Sequence, residues 1–369
     1  MRIESLSLTG FRNYAELELR PCPGMNILLG GNAQGKSALL EAIYLLATSK
    51  SHRTTRDSDL IRIGNEYARV CAEVARSRRP DVRIEIIIGA TERKTLRIDG
   101  ATRSKLGDLV GQLNAVVFSS IDVDMVRGEP SLRRRFMDLE ISQISPQYVY
   151  ALGRYKRSLE QRNNLLRNIR LGLGSADTLS VWDQQLSEYG AAIVEKRARF
   201  GEFLGESAAA VYSELTDGAE SLSVIYKPSV EGIEGGGIRA RLLETLRARR
   251  ELDLSRGTTS VGPHRDDLAI SIGGLSARDY ASQGQQRSAA LALKLAEVEL
   301  IERESGEPPV LLLDDVAAEL DSERRARAVR LAAGRCQTFV TTTRIDELGA
   351  CPLDSAAVFE VTSGRVRLR

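Results

Sequence analysis

Met25-Asn26-Ile27-Leu28-Leu29-Gly30-Gly31-Asn32-Ala33-Gln34-Gly35-Lys36-Ser37 runs from five residues suited to a buried strand into a turn that matches GxxxxGK[ST]. Leu39, Leu40, Ile43, Leu46 and Ala47 follow at helical spacing, so a helix leaves the turn. Strand, glycine turn and helix in that order are the context a phosphate loop requires. The glycines let backbone N–H groups from Gly30 to Ser37 face phosphate oxygens, and the helix amino terminus favours negative charge. Lys36 reaches the β and γ oxygens, and Ser37 offers a hydroxyl to Mg²⁺. A plain glycine turn with a stray lysine is the competing reading, and the flanks weigh against it.

Far downstream, Val310-Leu311-Leu312-Leu313-Asp314-Asp315 is an apolar strand that ends in two carboxylates. A Walker B strand needs this arrangement to hold Mg²⁺ at its carboxyl end. Asp314 would serve the metal, usually through water, and Asp315 stands where a base can polarise the attacking water. Between these elements, Ala281-Ser282-Gln283-Gly284-Gln285-Gln286-Arg287 precedes a helix expected over Ser288 to Glu302. Alone it reads as a polar loop with an N-capping serine. About thirty residues before a Walker B strand, a Ser-x-Gly turn at a helix start is also the arrangement of an ABC-type signature. There Ser282, Gly284 and the helix dipole would face a γ-phosphate.

The opening residues alternate Ile3, Leu6, Leu8 and then Ala15, Leu17, Leu19, which predicts two half-buried strands. Tyr67 to Asp99 suggests an antiparallel meander, and Ala115-Val116-Val117-Phe118 another buried strand. Character then turns helical. Tyr148, Leu152, Tyr155, Leu159, Leu166 and Ile169 form one apolar stripe, interrupted by Arg162, and Trp182 to Phe203 form a second, interrupted by Lys196. Leu171 to Ser175 is turn-like, so the two stripes pack most economically as a short antiparallel hairpin. Strand character resumes at Leu222 to Tyr226, and Glu231 to Gly237 reads as a surface loop. The expected organisation is an α/β head split by an insertion, with boundaries at 1–122, 123–217 and 218–369.

Composition narrows the class. The 369 residues are 42% hydrophobic and 28% charged, an ordinary globular balance. Fifty-two basic against fifty acidic residues leave a net charge of +2, so overall charge announces no nucleic-acid partner. Cys22, Cys71, Cys336 and Cys351 lie far apart, and with only His52 and His264 a zinc site lacks ligands. The charged amino terminus is unlike an export signal, and Asp314 and Asp315 interrupt the most apolar stretch. A reduced, cytoplasmic protein without a membrane partner is expected.

GxNAQGKS with LLEAIY, Gly262-Pro263-His264-Arg265-Asp266-Asp267-Leu268, SQGQQR and LLLDDVAAELD (Leu311 to Asp321) together resemble the bacterial RecF family of DNA-repair ATPases. Arg12-Asn13-Tyr14, Ser51-His52-Arg53-Thr54 and Gly128 to Asp138 (GEPSLRRRFMD) share that resemblance, which spans essentially the whole chain. It implies an ABC/SMC-type P-loop ATPase head with an inserted helical lobe. It also implies an ATP-dependent homodimer that binds double-stranded or gapped DNA and works with RecO and RecR to direct RecA loading in repair, replication and the SOS response. On the same grounds Arg12 and Asn13 approach the nucleotide, Ser282 meets the γ-phosphate across the dimer, and Asp321 is an interface residue. Ser119-Ser120-Ile121-Asp122 stands where the family usually has Ser-Pro-Glu-Asp, so a contact near Mg²⁺ is missing from that loop. Thr341-Thr342-Thr343 occupies the strand where many ABC enzymes carry histidine, and slow hydrolysis is the expectation.

Arg133 and Arg134, within an arginine triplet, are candidates for gripping DNA phosphates; the alternative is a solvated helix face. Arg154, Lys156, Arg157, Arg162 and Arg167 on the arm carry the same ambiguity. His264 reads as structural in preference to catalytic, because no nucleophile accompanies it. A transporter ATP-binding subunit and an architectural clamp are the competing functions. The split head and the GPHRDD segment disfavour the first. Arm stripes of about three heptads, only about 30 Å long, disfavour the second.

Overall fold

A computed structural model describes residues 1–91, 94–230, 232, 237–315, 327, 335–348 and 356–369. Asp321, Cys351 and most of the Glu231 to Gly237 segment lie outside the described residues. Strands β1 (Arg2–Phe11) and β2 (Tyr14–Leu19) form a hairpin, and β3 (Met25–Leu29) leads through the glycine turn to helix α1 (Lys36–Thr48). Strands β4 (Tyr67–Ala75), β5 (Val82–Gly89), β6 (Thr95–Ile98), β7 (Ala101–Arg103) and β8 (Ala115–Phe118) follow. Helices α2 (Val123–Arg127), α3 (Pro130–Ile144), α4 (Pro146–Arg170) and α5 (Leu179–Leu215) come next. Then come β9 (Leu222–Lys227), α6 (Ile238–Ala248), α7 (Arg250–Arg256), β10 (Asp267–Ile272) and β11 (Leu275–Ser276). Helices α8 (Ala277–Tyr280) and α9 (Gln283–Ser305), then β12 (Val310–Leu313), β13 (Thr338–Thr342), β14 (Ala357–Thr362) and β15 (Arg365–Leu368), complete the order.

The central sheet runs β15-β14-β3-β13-β12-β8, parallel except at β15. Parallel strands are buried on both faces, and the all-apolar Leu311 to Leu313 and Val116 to Phe118 are what such strands need. Leu28, Leu312 and Phe339 point to one core with α1 and the antiparallel sheet β2-β1-β4-β5-β6-β7. Ile27, Leu311, Leu313 and Val340 point to the other, shared with α9, α3, α4 and α5. Strand β13 lies between β3 and β12, with Thr341 paired to Leu28 and Val340 to Leu313. That order brings the glycine turn and the Asp-Asp pair, 277 residues apart in the chain, to one edge of the sheet.

Helix α9 begins at Gln283, five residues before the expected start. Ser282 and Gln285 make a capping box in which Gln285 Oε1 accepts from the Ser282 N–H at 2.7 Å, and this stabilises the extra turn. The helical hairpin exists, but its second helix is longer than the stripe suggested. Beyond Phe203, Leu204, Ala208, Val211, Tyr212 and Leu215 continue the apolar face into the main core. The third sheet, β11-β10-β9, packs on this continuation.

Arg162 does not face solvent. Its side chain is fully buried, donating to Asp183 at 2.8 Å and to Asp253 at 2.7 Å. A guanidinium in an apolar stripe demands such partners, because an unpaired buried charge is costly. Arg133 is likewise a core residue and not a phosphate contact. It is 5% exposed, and its Nε and Nη2 donate to the two Asp267 oxygens at 2.7 and 2.9 Å. Arg134 is half-buried and donates to the Asp266 carbonyl at 2.8 Å. No described helix is long and apolar enough to cross a membrane.

Candidate nucleotide site

The glycine turn is shaped by close contacts. Gly30 lies against β14 so tightly that a Cβ would fall 2.3 Å from the Val361 carbonyl oxygen. Gly35 has φ +119°, and a Cβ there would meet Asn13 Nδ2 at 2.6 Å. Asn13 Nδ2 donates to the Gln34 carbonyl at 2.8 Å, and the Tyr14 hydroxyl donates to the Gly35 carbonyl at 3.0 Å. On the other side, Gln34 Oε1 accepts from the Ser363 N–H at 2.7 Å. The β1–β2 and β14–β15 turns thus brace the loop from both flanks.

Lys36 Nζ donates to the Gly30 and Gly31 carbonyls at 2.6 and 2.8 Å, curling back onto the start of the loop. Burial lowers its pKa below the usual lysine range, and the nearby charges of Asp315 and Asp314 offset part of that. Ser37 Oγ donates to Asp314 Oδ1 at 2.8 Å. Thr341 Oγ1 donates to the same oxygen at 2.9 Å while accepting from the Asp315 N–H at 2.7 Å. One threonine hydroxyl therefore ties the two carboxylate residues together. Asp314 is 9% exposed, and burial raises its pKa against the lowering effect of those two hydroxyls.

Asp315 is exposed at the cleft and has φ +54°. Aspartate adopts this left-handed conformation more readily than most side chains.

These residues line a cleft of about 460 Å³ together with Arg12, Asn13, Asn32, Ala33, Gln34 and Gly35. Arg12 is held for it by Glu41, whose two oxygens accept from Arg12 Nε at 2.8 Å and Nη2 at 2.7 Å. Glu41 is fully buried in α1. Burial would push its carboxyl up, but hydrogen bonds from Arg12 and Ser51 and the charges of Arg12 and Arg53 outweigh that and hold it below the usual range. In the sequence Glu41 carries no assigned role, and Thr341 stands only where many ABC enzymes have histidine. A lone acid in the apolar run Leu39 to Ala47 is a signal for the first, since a buried carboxylate must find a cation.

Ser282 and Gly284 are not among the residues lining this cleft, and Ser282 is exposed at the head of α9. Ser119 and Asp122 still close a capped turn, Asp122 Oδ2 accepting from the Ser119 N–H at 2.7 Å, so replacement of the usual Pro-Glu leaves the turn intact. Ile121 occupies it as a half-exposed apolar residue.

The GPHRDD segment is a structural hub. Its buried Asp266 accepts from the Ser229 N–H at 2.7 Å, from the Tyr226 hydroxyl and from Arg197. Arg197 in turn reaches Asp138 on α3 at 2.8 Å. His264 Nε2 donates to the Thr259 carbonyl at 3.0 Å, leaving Nδ1 to accept from the Tyr155 hydroxyl at 2.7 Å. Burial pushes its pKa down to about 4, so the ring is neutral and structural.

The chain matches the family model for the RecF/RecN/SMC N-terminal domain over residues 2–365. It is 40% identical to the DNA replication and repair protein RecF of Alkaliphilus oremlandii, covering 99% of this chain and 100% of that protein. It is 42% identical to the protein of that name from Geobacillus kaustophilus over 99% of each. Among solved structures, a recombination mediator protein RecF with ATPrS, described in the RecFOR pathway, superposes with a TM-score of 0.91 at 36% identity, covering 100% of this chain and 98% of that one. The Smc head domain from Pyrococcus furiosus aligns at a TM-score of 0.57 and 18% identity, covering 100% of this chain and 95% of that one, a likeness of fold. The fold is therefore an SMC-type ATPase head with a helical lobe. With full-length identity at this level and a phosphate loop facing a Walker B carboxylate across β13, the chain belongs to the RecF family of DNA replication and repair proteins.

Proposed function

We propose that this protein is an ATP-dependent DNA-binding ATPase of recombinational repair, working with RecO and RecR to direct RecA loading onto gapped duplex DNA. The observation that carries the nucleotide part is the convergence of Ser37, Asp314, Thr341 and Asp315 within successive hydrogen bonds at the mouth of the phosphate loop. Ser37 and Asp314 offer hard oxygen donors 2.8 Å apart, a set that suits Mg²⁺ completed by water and nucleotide phosphates. Bound there, the metal would supply charge neutralisation at the β and γ phosphates.

Lys36 exchanges its two carbonyl partners for phosphate oxygens when ATP enters. The N–H groups of the loop and the α1 amino terminus bind the rest of the triphosphate. Asp315, in reach of the cleft, accepts a proton from the attacking water. It does so weakly, with no histidine to assist, which supports slow turnover that times release.

Exposure of Ser282, and the place of Ser282 and Gly284 outside the lining of their own cleft, support their use in trans, completing the γ-phosphate site of a second copy. Hydrolysis then resets the dimer. Light scattering with ATP, ADP or no nucleotide tests the scheme, and duplex retention is measured in parallel. ATP alone should double the mass and promote retention, whereas Lys36→Ala should do neither. A parent that stays monomeric with ATP, or binds DNA equally without it, refutes the proposal.

A further inference from the structure

Two of the segments that mark the family, GEPSLRRRFMD and GPHRDD, do not enter the nucleotide cleft. They meet instead around a separate groove of about 370 Å³ between α3, α4 and the residues just past α1. Lys50, Arg134, Arg135 and Lys156 line it, with buried Arg197 behind them. The one carboxylate in the lining, Asp138, is already engaged by Arg197 at 2.8 Å, the Tyr148 hydroxyl at 2.7 Å and Lys156 at 3.3 Å. Lys50 and Arg135 are exposed and form no ion pair among the described residues. Asp267 is occupied by Arg133, and Asp266 turns its carboxylate inward to Tyr226 and Ser229. Lys156 and Arg197 thus have carboxylate partners, whereas Lys50, Arg134 and Arg135, from two separate elements, converge on the groove with no ion pair among the described residues.

A like-charged cluster opposes itself. On a chain whose net charge is only +2, such a concentration signals an anionic ligand and not general basicity. On the other side of α4 lies a second groove, where Lys105, Arg154 and Arg157, with one carboxylate, Asp108, surround the half-exposed Tyr150, and Arg154 lies 5.4 Å from its ring centroid. Cations on both sides of one helix form a band wider than a single phosphate, which fits the repeating charge of a nucleic-acid backbone. Lys50 lies two residues past the carboxyl end of α1, whose amino end forms the phosphate loop. The nucleotide cleft and this groove are thus joined by one rigid helix about 20 Å long.

We infer that the groove lined by Lys50, Arg134, Arg135 and Lys156, with its extension over α4, holds the phosphodiester backbone of duplex DNA. The inference rests on the DNA-binding reading above and gives it a surface. Arg133, an obvious candidate from the sequence, bolts α3 to β10 so that Arg135 is turned out to meet the ligand.

The test is filter binding of duplex DNA to the full chain with ATP over a salt series. It compares the parent, Lys50→Gln/Arg135→Gln, and a control pair of exposed arginines elsewhere, Arg199→Gln/Arg239→Gln. Each lost phosphate contact removes about 0.9 from the log–log salt slope, so the groove variant should lose about 1.8 with every duplex sequence weakened alike. Its ATP affinity and unfolding midpoint should match the parent, since both side chains are exposed, and the control pair should keep the parental slope. A groove variant with the parental slope, beside a parent that binds DNA, overturns the groove and leaves the DNA reading standing. A parent with no duplex affinity overturns both. Loss of poly-L-glutamate binding by the groove variant with duplex binding intact overturns it in favour of an acidic protein partner.

Discussion

Replacing Thr341 by valine removes one hydroxyl that holds Asp314 and Asp315 and leaves the shape of the side chain nearly unchanged. Thr341 Oγ1 donates to Asp314 Oδ1 at 2.9 Å and accepts from the Asp315 N–H at 2.7 Å, and the residue is 1% exposed. A hydrogen bond to a charged group contributes about 1.5 to 3 kcal/mol, and the buried site offers little solvent to replace it. The backbone at Asp315 also sits at φ +54°, so losing its N–H partner frees the residue that would take the proton from water. If most of that energy is expressed in the transition state, turnover falls about 10- to 100-fold. Lys36 and the loop N–H groups do not touch Thr341, so ATP affinity should change little. Single-turnover hydrolysis of ATP with saturating Mg²⁺ measures the first quantity and calorimetry the second. Thr341→Ser keeps the hydroxyl and should restore most of the rate. Parental turnover in the valine variant would refute the positioning role. So would a loss of ATP affinity as large as that in Lys36→Ala, because the threonine would then be acting through the phosphate loop.

Ser282→Arg should leave ATP affinity near the parental value and abolish the ATP-dependent dimer; an ATP-bound dimer in light scattering counts against the trans site. Arg133→Gln leaves Asp267 without its bidentate partner. Because Asp267 is about one-third exposed on its side chain, the cost should be about 2 to 3 kcal/mol in urea unfolding, with DNA affinity per folded molecule unchanged. Lost DNA binding at full stability would restore the phosphate-contact reading of that arginine. His264 and His52 both have pKa values pushed down to about 4 by burial, against an ordinary 6.5. Below pH 6.5 the unfolded chain takes up protons that the fold refuses. The stability these groups confer is therefore complete above pH 6.5 and declines as pH falls toward 4, by on the order of 3 kcal/mol each at the limit. His264→Gln should flatten that part of the urea-stability profile; an unchanged slope would mean the ring is protonated in the fold.

The phosphate loop was legible from residues alone because every part of its meaning is local. A buried strand carrying Met25, Ile27, Leu28 and Leu29, three glycines, a lysine and a helical stripe are contiguous in the chain. Asp314 and Asp315 were legible for a similar reason, since an apolar strand that ends in two carboxylates already fixes which end carries charge. Asp321 lies outside the described residues, and its interface role stays with the resemblance.

Thr341 was not legible as a bridge, because its value depends on β13 lying between β3 and β12, and strand order is not written in any one strand. Arginine is the sharpest case. In the triplet from Arg133 to Arg135 the three side chains are identical in chemistry, yet one is buried, one half-buried and one exposed. The partner that separates them, Asp267, lies 134 residues away on β10. Sequence periodicity ranks positions on a helix by the side they face, but it cannot say whether a carboxylate waits there. Burying a guanidinium costs several kcal/mol unless such a partner is present. The chain's own sequence determined the glycine turn and the strand that ends in two carboxylates, and the packing of α3 against β10 decided which arginine is buried and which is exposed.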